Sequence, residues 1–135
     1  MAAYWIFKTE PTDYSWDDFV REKRTTWSGV KNALAQKHLR TVAKGDQILV
    51  YHTGTERRVV GLARAVGDPY PDPKSAGGKL VTVDIEPVRP VTRSVALGDI
   101  KQDAAFKDLA LVRMGRLSVV PVTQKQWGRL MELAG

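Results

Sequence analysis

The chain has 135 residues, the length of one domain, and a domain of this size closes a core without staples. It contains no cysteine, which excludes disulfides, thiol nucleophiles, thiolate zinc sites and iron–sulfur clusters, and a hydrophobic share of 43% excludes a disordered chain. The balance of 21 Lys and Arg against 15 Asp and Glu leaves a net charge of +6, which predicts attraction to a polyanion and says nothing about fold.

Tyr4 to Lys8 reads as a strand of aromatic and β-branched residues, stopped by Glu10-Pro11-Thr12-Asp13. Ser15 is placed as a helix N-cap with Asp17 and Asp18 in the first turn, and Trp16, Phe19 and Val20 fall on one helical face. A short extended piece follows at Thr25-Thr26-Trp27. The next helix is expected from Asn32 to Ala43, ended by Gly45. Gln47 to His52 and Arg58 to Val66 make a hairpin through Thr53-Gly54-Thr55-Glu56. Gly67 to Pro73 holds three prolines and reads as an irregular loop. Lys79 to Glu86 alternates as a buried strand, with Pro87 and Pro90 marking its end. A short helix starts near Leu97, a turn covers Ala104 to Leu109, and Leu117 to Val120 is a strand. Thr123 and Gln126 form a capping-box pattern ahead of a C-terminal helix whose apolar face is Trp127, Leu130, Met131 and Ala134. Elements in this order predict an α+β fold in which hairpin-joined strands curl into a small barrel.

No membrane partner is expected. No apolar run approaches the ~18–20 residues of a span, and Met1 to Trp5 lacks the basic and apolar regions of a signal peptide. A soluble, cytoplasmic protein is expected. Phosphate-cradling, dinucleotide and nucleophile-elbow motifs are all missing. His38 and His52 are the only histidines, so no metal is expected, and with those motifs missing no cofactor is expected either. His52 ends a strand beside Tyr51, where it reads either as a hydrogen-bonding strand end or as part of a pocket; a general base there would need a partner, for which Glu10 is the candidate.

From Lys23 to Gly45 there are six basic residues and no acid. This is either a solvated face or a surface for phosphates, where each cation releases a counterion. Trp27-Ser28-Gly29-Val30-Lys31-Asn32 lies inside it. Trp27 can be core and Asn32 a helix cap, or the pair can present a stacking face and a base-edge reader.

Six motifs in order resemble one family. Tyr4-Trp5-Ile6-Phe7-Lys8-Thr9-Glu10-Pro11, Tyr14-Ser15-Trp16-Asp17-Asp18, Trp27 to Asn32, Gly45-Asp46 leading into Tyr51-His52, Tyr70-Pro71-Asp72 and Arg116-Leu117-Ser118-Val119 are similar to those of the EVE domain. That domain is a member of the PUA-like superfamily, related to YTH and ASCH domains. The resemblance spans nearly the whole chain and implies one PUA-like domain over residues 1–135: a mixed β pseudo-barrel flanked by helices. It implies a non-enzymatic nucleic-acid-binding module, on DNA or RNA, that takes a modified base such as a methylated cytosine derivative into an aromatic-walled pocket. Carried onto this chain, the pocket is Trp27 with Tyr51 or His52 opposite, Gly29 and Val30 offering backbone, and Lys8, Glu10, Asn32 and Ser118 as polar groups. Lys31, Lys37, Arg40 and Arg116 would contact phosphates. The alternatives are a small-molecule or protein-binding module on the same fold, or an enzyme acting on nucleotides through His52 and Glu10. The oligomeric state is open, and a monomer fits.

Overall fold

The computed structural model describes residues 3–75, 77 and 79–135. Strand β1 (Tyr4–Thr9) buries Trp5, Ile6 and Phe7 in succession, as a strand covered on both faces must. It pairs in parallel with β3 (Gln47–His52) and antiparallel with β7 (Val119–Val122). Helix α1 (Trp16–Glu22) starts where Ser15 places it, in a reciprocal cap: Asp18 N–H donates to Ser15 Oγ and Ser15 N–H donates to the Asp18 carboxylate. Strand β2 (Thr25–Trp27) then adds to the edge of β6 (Val81–Ala96), and β4 (Arg58–Ala65) lies between β6 and β3. The order β2-β6-β4-β3-β1-β7, with the two-residue β5 (Tyr70–Pro71) on β6, is one curled mixed sheet whose ends are β2 and β7. It forms a half-barrel of the expected α+β, PUA-like class.

Five helices flank it among the described residues. After α1 come α2 (Ala33–Leu39), α3 (Leu97–Gln102), α4 (Ala110–Arg113) and α5 (Gln124–Ala134). Trp127 of α5 stacks on Tyr4, with ring centroids 4.8 Å apart. Trp5, Trp16 and Trp127 are all core. The indole of Trp16 lies so close over β4 that a Cβ on Gly61 would stand 2.4 Å from it.

Asp46 fixes the start of β1. Its buried carboxylate accepts from Ala3 N–H, Trp5 Nε1–H and Ala43 N–H, each at 2.9 Å. That last bond also explains why α2 stops four residues short of its expected end. Thr41 Oγ1 donates to His38 O and the Asp46 carboxylate captures Ala43 N–H, so the chain turns after Leu39.

Two strands run through prolines, the first of them through the Pro87 and Pro90 expected to mark its end. In β6 the pairing with β4 slips between Val59 and Gly61 and between Leu62 and Ala63, so Pro87 and Pro90 sit beside irregular register and break no regular ladder. In β7, Pro121 lies on an end strand and its missing N–H faces no neighbour. The strand is shifted to Val119–Val122 from the expected Leu117–Val120. Within the expected irregular loop, Tyr70–Pro71 pairs with Val81–Thr82. Helix α4 has no side-chain cap and a single turn, and nothing in the sequence marked it.

Candidate functional site

A cleft of about 430 Å³ opens where the end of β1, the turn after it and the segment from β2 to Lys31 meet. Trp27 and Tyr14 are its aromatic groups, Glu10 and Asp13 its carboxylates, Lys8 and Lys31 its cations, and Thr9, Thr25, Thr26, Ser28 and Ser118 its aliphatic hydroxyls. Trp27 is 7% exposed, so most of its indole is core: it packs against Phe7 at 5.4 Å and meets the edge of Tyr14 at 6.3 Å. The part left free forms the cleft wall. The Tyr14 hydroxyl donates to Glu22, and burial together with that carboxylate pushes its phenol up to about 12. It is therefore a neutral ring at physiological pH.

Gly29 and Val30 line the same cleft. Gly29 has φ +77°, in the left-handed region that favours glycine, and a Cβ there would meet nothing within 4 Å. Val30 is held from behind by Gln36 of α2, a buried amide. Gln36 Nε2 donates to Val30 O at 2.6 Å and to Val81 O at 3.2 Å, while its Oε1 accepts from Val81 N–H at 2.9 Å. The side chain thus pairs with Val81 as a neighbouring strand would, and fastens the cleft wall to β6.

Glu10 is pinned. Its Oε1 accepts from Thr12 N–H and Thr12 Oγ1, and its Oε2 accepts from Thr53 Oγ1 at 3.0 Å. The Thr12 backbone N–H first, and the Thr53 hydroxyl next, hold this carboxyl below its ordinary value of 4.5. A depressed carboxyl stabilises the fold above its unfolded-chain value, and that contribution is lost as pH falls through the folded one. A carbon-detected NMR titration should therefore find the Glu10 midpoint below 4.5, and Thr53→Val should raise it. An unchanged midpoint in that variant would remove the Thr53 hydroxyl from the account.

Of the residues proposed from sequence, Trp27, Gly29, Val30, Lys8, Glu10, Ser118 and Lys31 line this one cleft. Tyr51 and His52 do not stand opposite Trp27. His52 is buried, its Nε2 accepts from Trp16 N–H and its Nδ1 bonds Glu56, both at 2.9 Å. These bonds assign the proton to Nδ1 and leave no free lone pair, which removes the geometry of a His52/Glu10 acid–base pair. Tyr51 faces a different cavity, shared with Lys8. Asn32 caps α2 through Ala35 N–H and lines an adjoining cavity of about 330 Å³ with Arg113 and Arg116. Arg40 donates to Lys79 O at 2.7 Å, and Lys37 is exposed on α2 without lining the cleft. Sequence reasoning missed Tyr14, Asp13 and Gln36. Tyr14 and Asp13 lie in a turn whose path only the fold reveals. Among the described residues no group of three or more His, Asp or Glu is placed to hold a metal, and no helix is long and apolar enough to cross a membrane.

A half-barrel with this cleft at the end of its first strand defines a class. The family model described as the EVE domain matches residues 3–133, and the chain belongs to the EVE domain family. A protein of Rhodopseudomonas palustris, solved by NMR, is 37% identical with a TM-score of 0.94, over 99% of this chain and 94% of that one. Thymocyte nuclear protein 1 of Homo sapiens is 26% identical over 98% of this chain and 74% of its own length. A crystal structure of human THYN1 protein in complex with 5-methylcytosine-containing DNA has a TM-score of 0.90 at 26% identity, over 98% of each chain.

Proposed function

We propose that this chain is a non-catalytic nucleic-acid-binding module that holds one unstacked base, preferentially a methylated cytosine, in the Trp27–Tyr14 cleft of a DNA strand. The observation that carries the reading is the cleft itself: an aromatic wall, a glycine-opened backbone edge and carboxylates in one concave site, with cations at Lys8 and Lys31. The likeness to a protein whose structure contains 5-methylcytosine DNA supports it.

The energetics set what each part must do. Unstacking a base costs a few kcal/mol in a duplex and least in a single strand. Stacking returns roughly 1–3 kcal/mol per base, and the methyl group adds about 0.8 kcal/mol. The methyl alone therefore gives only several-fold selectivity. A carboxylate can accept from the cytosine amino group, which is how Asp or Glu reads that base. Asp13 is exposed at the cleft, whereas Glu10 is already engaged by Thr12 and Thr53.

Fluorescence-polarisation titrations with single strands and duplexes, with and without one 5-methylcytosine, test this. The single modified strand is expected to bind several-fold tighter than its unmodified twin and tighter than the duplex, with affinity falling as salt rises. RNA of the same sequence binding better would redirect the reading to RNA. Absence of salt-dependent binding to every strand would overturn it.

A further inference from the structure

The cavity that Tyr51 faces has about 370 Å³ and shares Lys8 with the base cleft. Its lining holds two cations, Lys8 and Arg57, and no carboxylate. Tyr51 is 3% exposed, yet its hydroxyl has no hydrogen-bond partner among the described residues. No sealed-off side-chain nitrogen or oxygen there lacks a partner, so this hydroxyl reaches solvent, and the cavity is the space it reaches.

Lys8 and Tyr51 are register partners across β1 and β3, and the Lys8 Nζ lies 5.9 Å from the Tyr51 ring centroid. One ammonium N–H goes to Gly115 O at 3.0 Å, leaving two free to donate. Arg57 has φ +48°, a conformation uncommon outside glycine, and its Nε donates to Gly54 O at 3.1 Å. That bond orients the guanidinium and leaves its terminal amino groups unspent. Burial raises the Tyr51 phenol while the Arg57 charge opposes the shift, which puts the two within electrostatic reach. A carboxylate does stand nearby: Glu10 Oε2 would lie 2.6 Å from a Cβ on Gly54, but it is bound to Thr53.

We propose that this cavity is a phosphate subsite, in which Tyr51 Oη–H, the Lys8 ammonium and the Arg57 guanidinium donate to the oxygens of one phosphate. Resting on the reading above, its source is the phosphodiester beside the base held in the cleft, with Lys8 bridging the two sites. Charge-assisted bonds from a planar guanidinium and an ammonium, in a recess without a lining carboxylate, suit a phosphate oxygen.

The test compares Tyr51→Phe and Arg57→Gln with the unaltered chain on modified and unmodified single strands across a salt series. Each variant is expected to bind about tenfold more weakly, by the same factor on both strands. Arg57→Gln should also lower the slope of log affinity against log salt by about 0.7. Tyr51→Phe should leave the melting temperature unchanged, because the hydroxyl it removes has no partner among the described residues. If the strands bind and neither variant alters affinity or slope, the subsite is wrong and the base cleft stands. If no strand binds the unaltered chain, an ¹⁵N NMR titration with inorganic phosphate decides. Saturable shifts at Arg57 Nε, abolished by Arg57→Gln, would assign the subsite to a small phosphorylated ligand, and no shift would overturn it.

Discussion

Gln36→Ala is expected to lower the unfolding free energy by about 2–4 kcal/mol and to weaken binding at the cleft. The substitution leaves Val30 O and both polar groups of Val81 without the partner that satisfies them. Each buried backbone group orphaned in this way costs roughly 1–3 kcal/mol. Partial hydration of Val81, which is only half-buried, keeps the sum at the lower end. Gln36→Glu sharpens the test. It retains the acceptor for Val81 N–H but aims a second carboxylate oxygen at Val30 O and Val81 O. Glu should therefore be at least as damaging as Ala, although it is closer in shape. Chemical denaturation measures both, and a Glu variant as stable as the native chain would refute this role for the amide.

Asp46→Ala is expected to cost about 3–5 kcal/mol, the larger of the two effects. Three donors converge on this buried carboxylate, and hydrogen bonds to a charged group are worth roughly 1.5–3 kcal/mol each. Ala3 and Trp5 belong to the entry of β1, and Ala43 to the turn after α2, so the variant should loosen both together. Asp46→Asn should fall between the two, because its amide can present one acceptor but must turn an N–H toward one of the three donors. Thermal melts of the three chains give the order directly, and an Asn variant less stable than Ala would contradict it.

Much of this fold was legible because its signals are local. Ser15, Asn32 and Thr123 each cap the helix that follows, since the cap and the amide it satisfies lie within three residues of each other. The hairpin of β3 and β4 was readable from alternation and one turn. What escaped is long-range. Pro87 and Pro90 stop a strand only where the ladder is regular, and the slips in β4 that tolerate them are set by a partner more than twenty residues away.

The site divides in the same way. Trp27, Gly29 and Lys31 were found together because they are neighbours in one segment, and the β1 residues Lys8 and Glu10 came from the opening motif. Tyr51 and His52 were placed on the wrong side because strand alternation gives a face and not the direction in which the sheet curls. His52 was claimed by the amide of Trp16, 36 residues earlier. Gln36 bears no motif at all, and its role exists only once α2 meets β6.

The central claim is that a base enters the Trp27–Tyr14 cleft. An ¹⁵N NMR titration with a short single strand carrying one 5-methylcytosine tests it most directly. The expected result is saturable shifts at the Trp27 indole N–H and at the Gly29, Val30 and Lys31 amides, with the Asp103–Arg129 ion pair, which lines a different cavity, unmoved. Saturable binding that leaves the Trp27 indole and Gly29 untouched would contradict it.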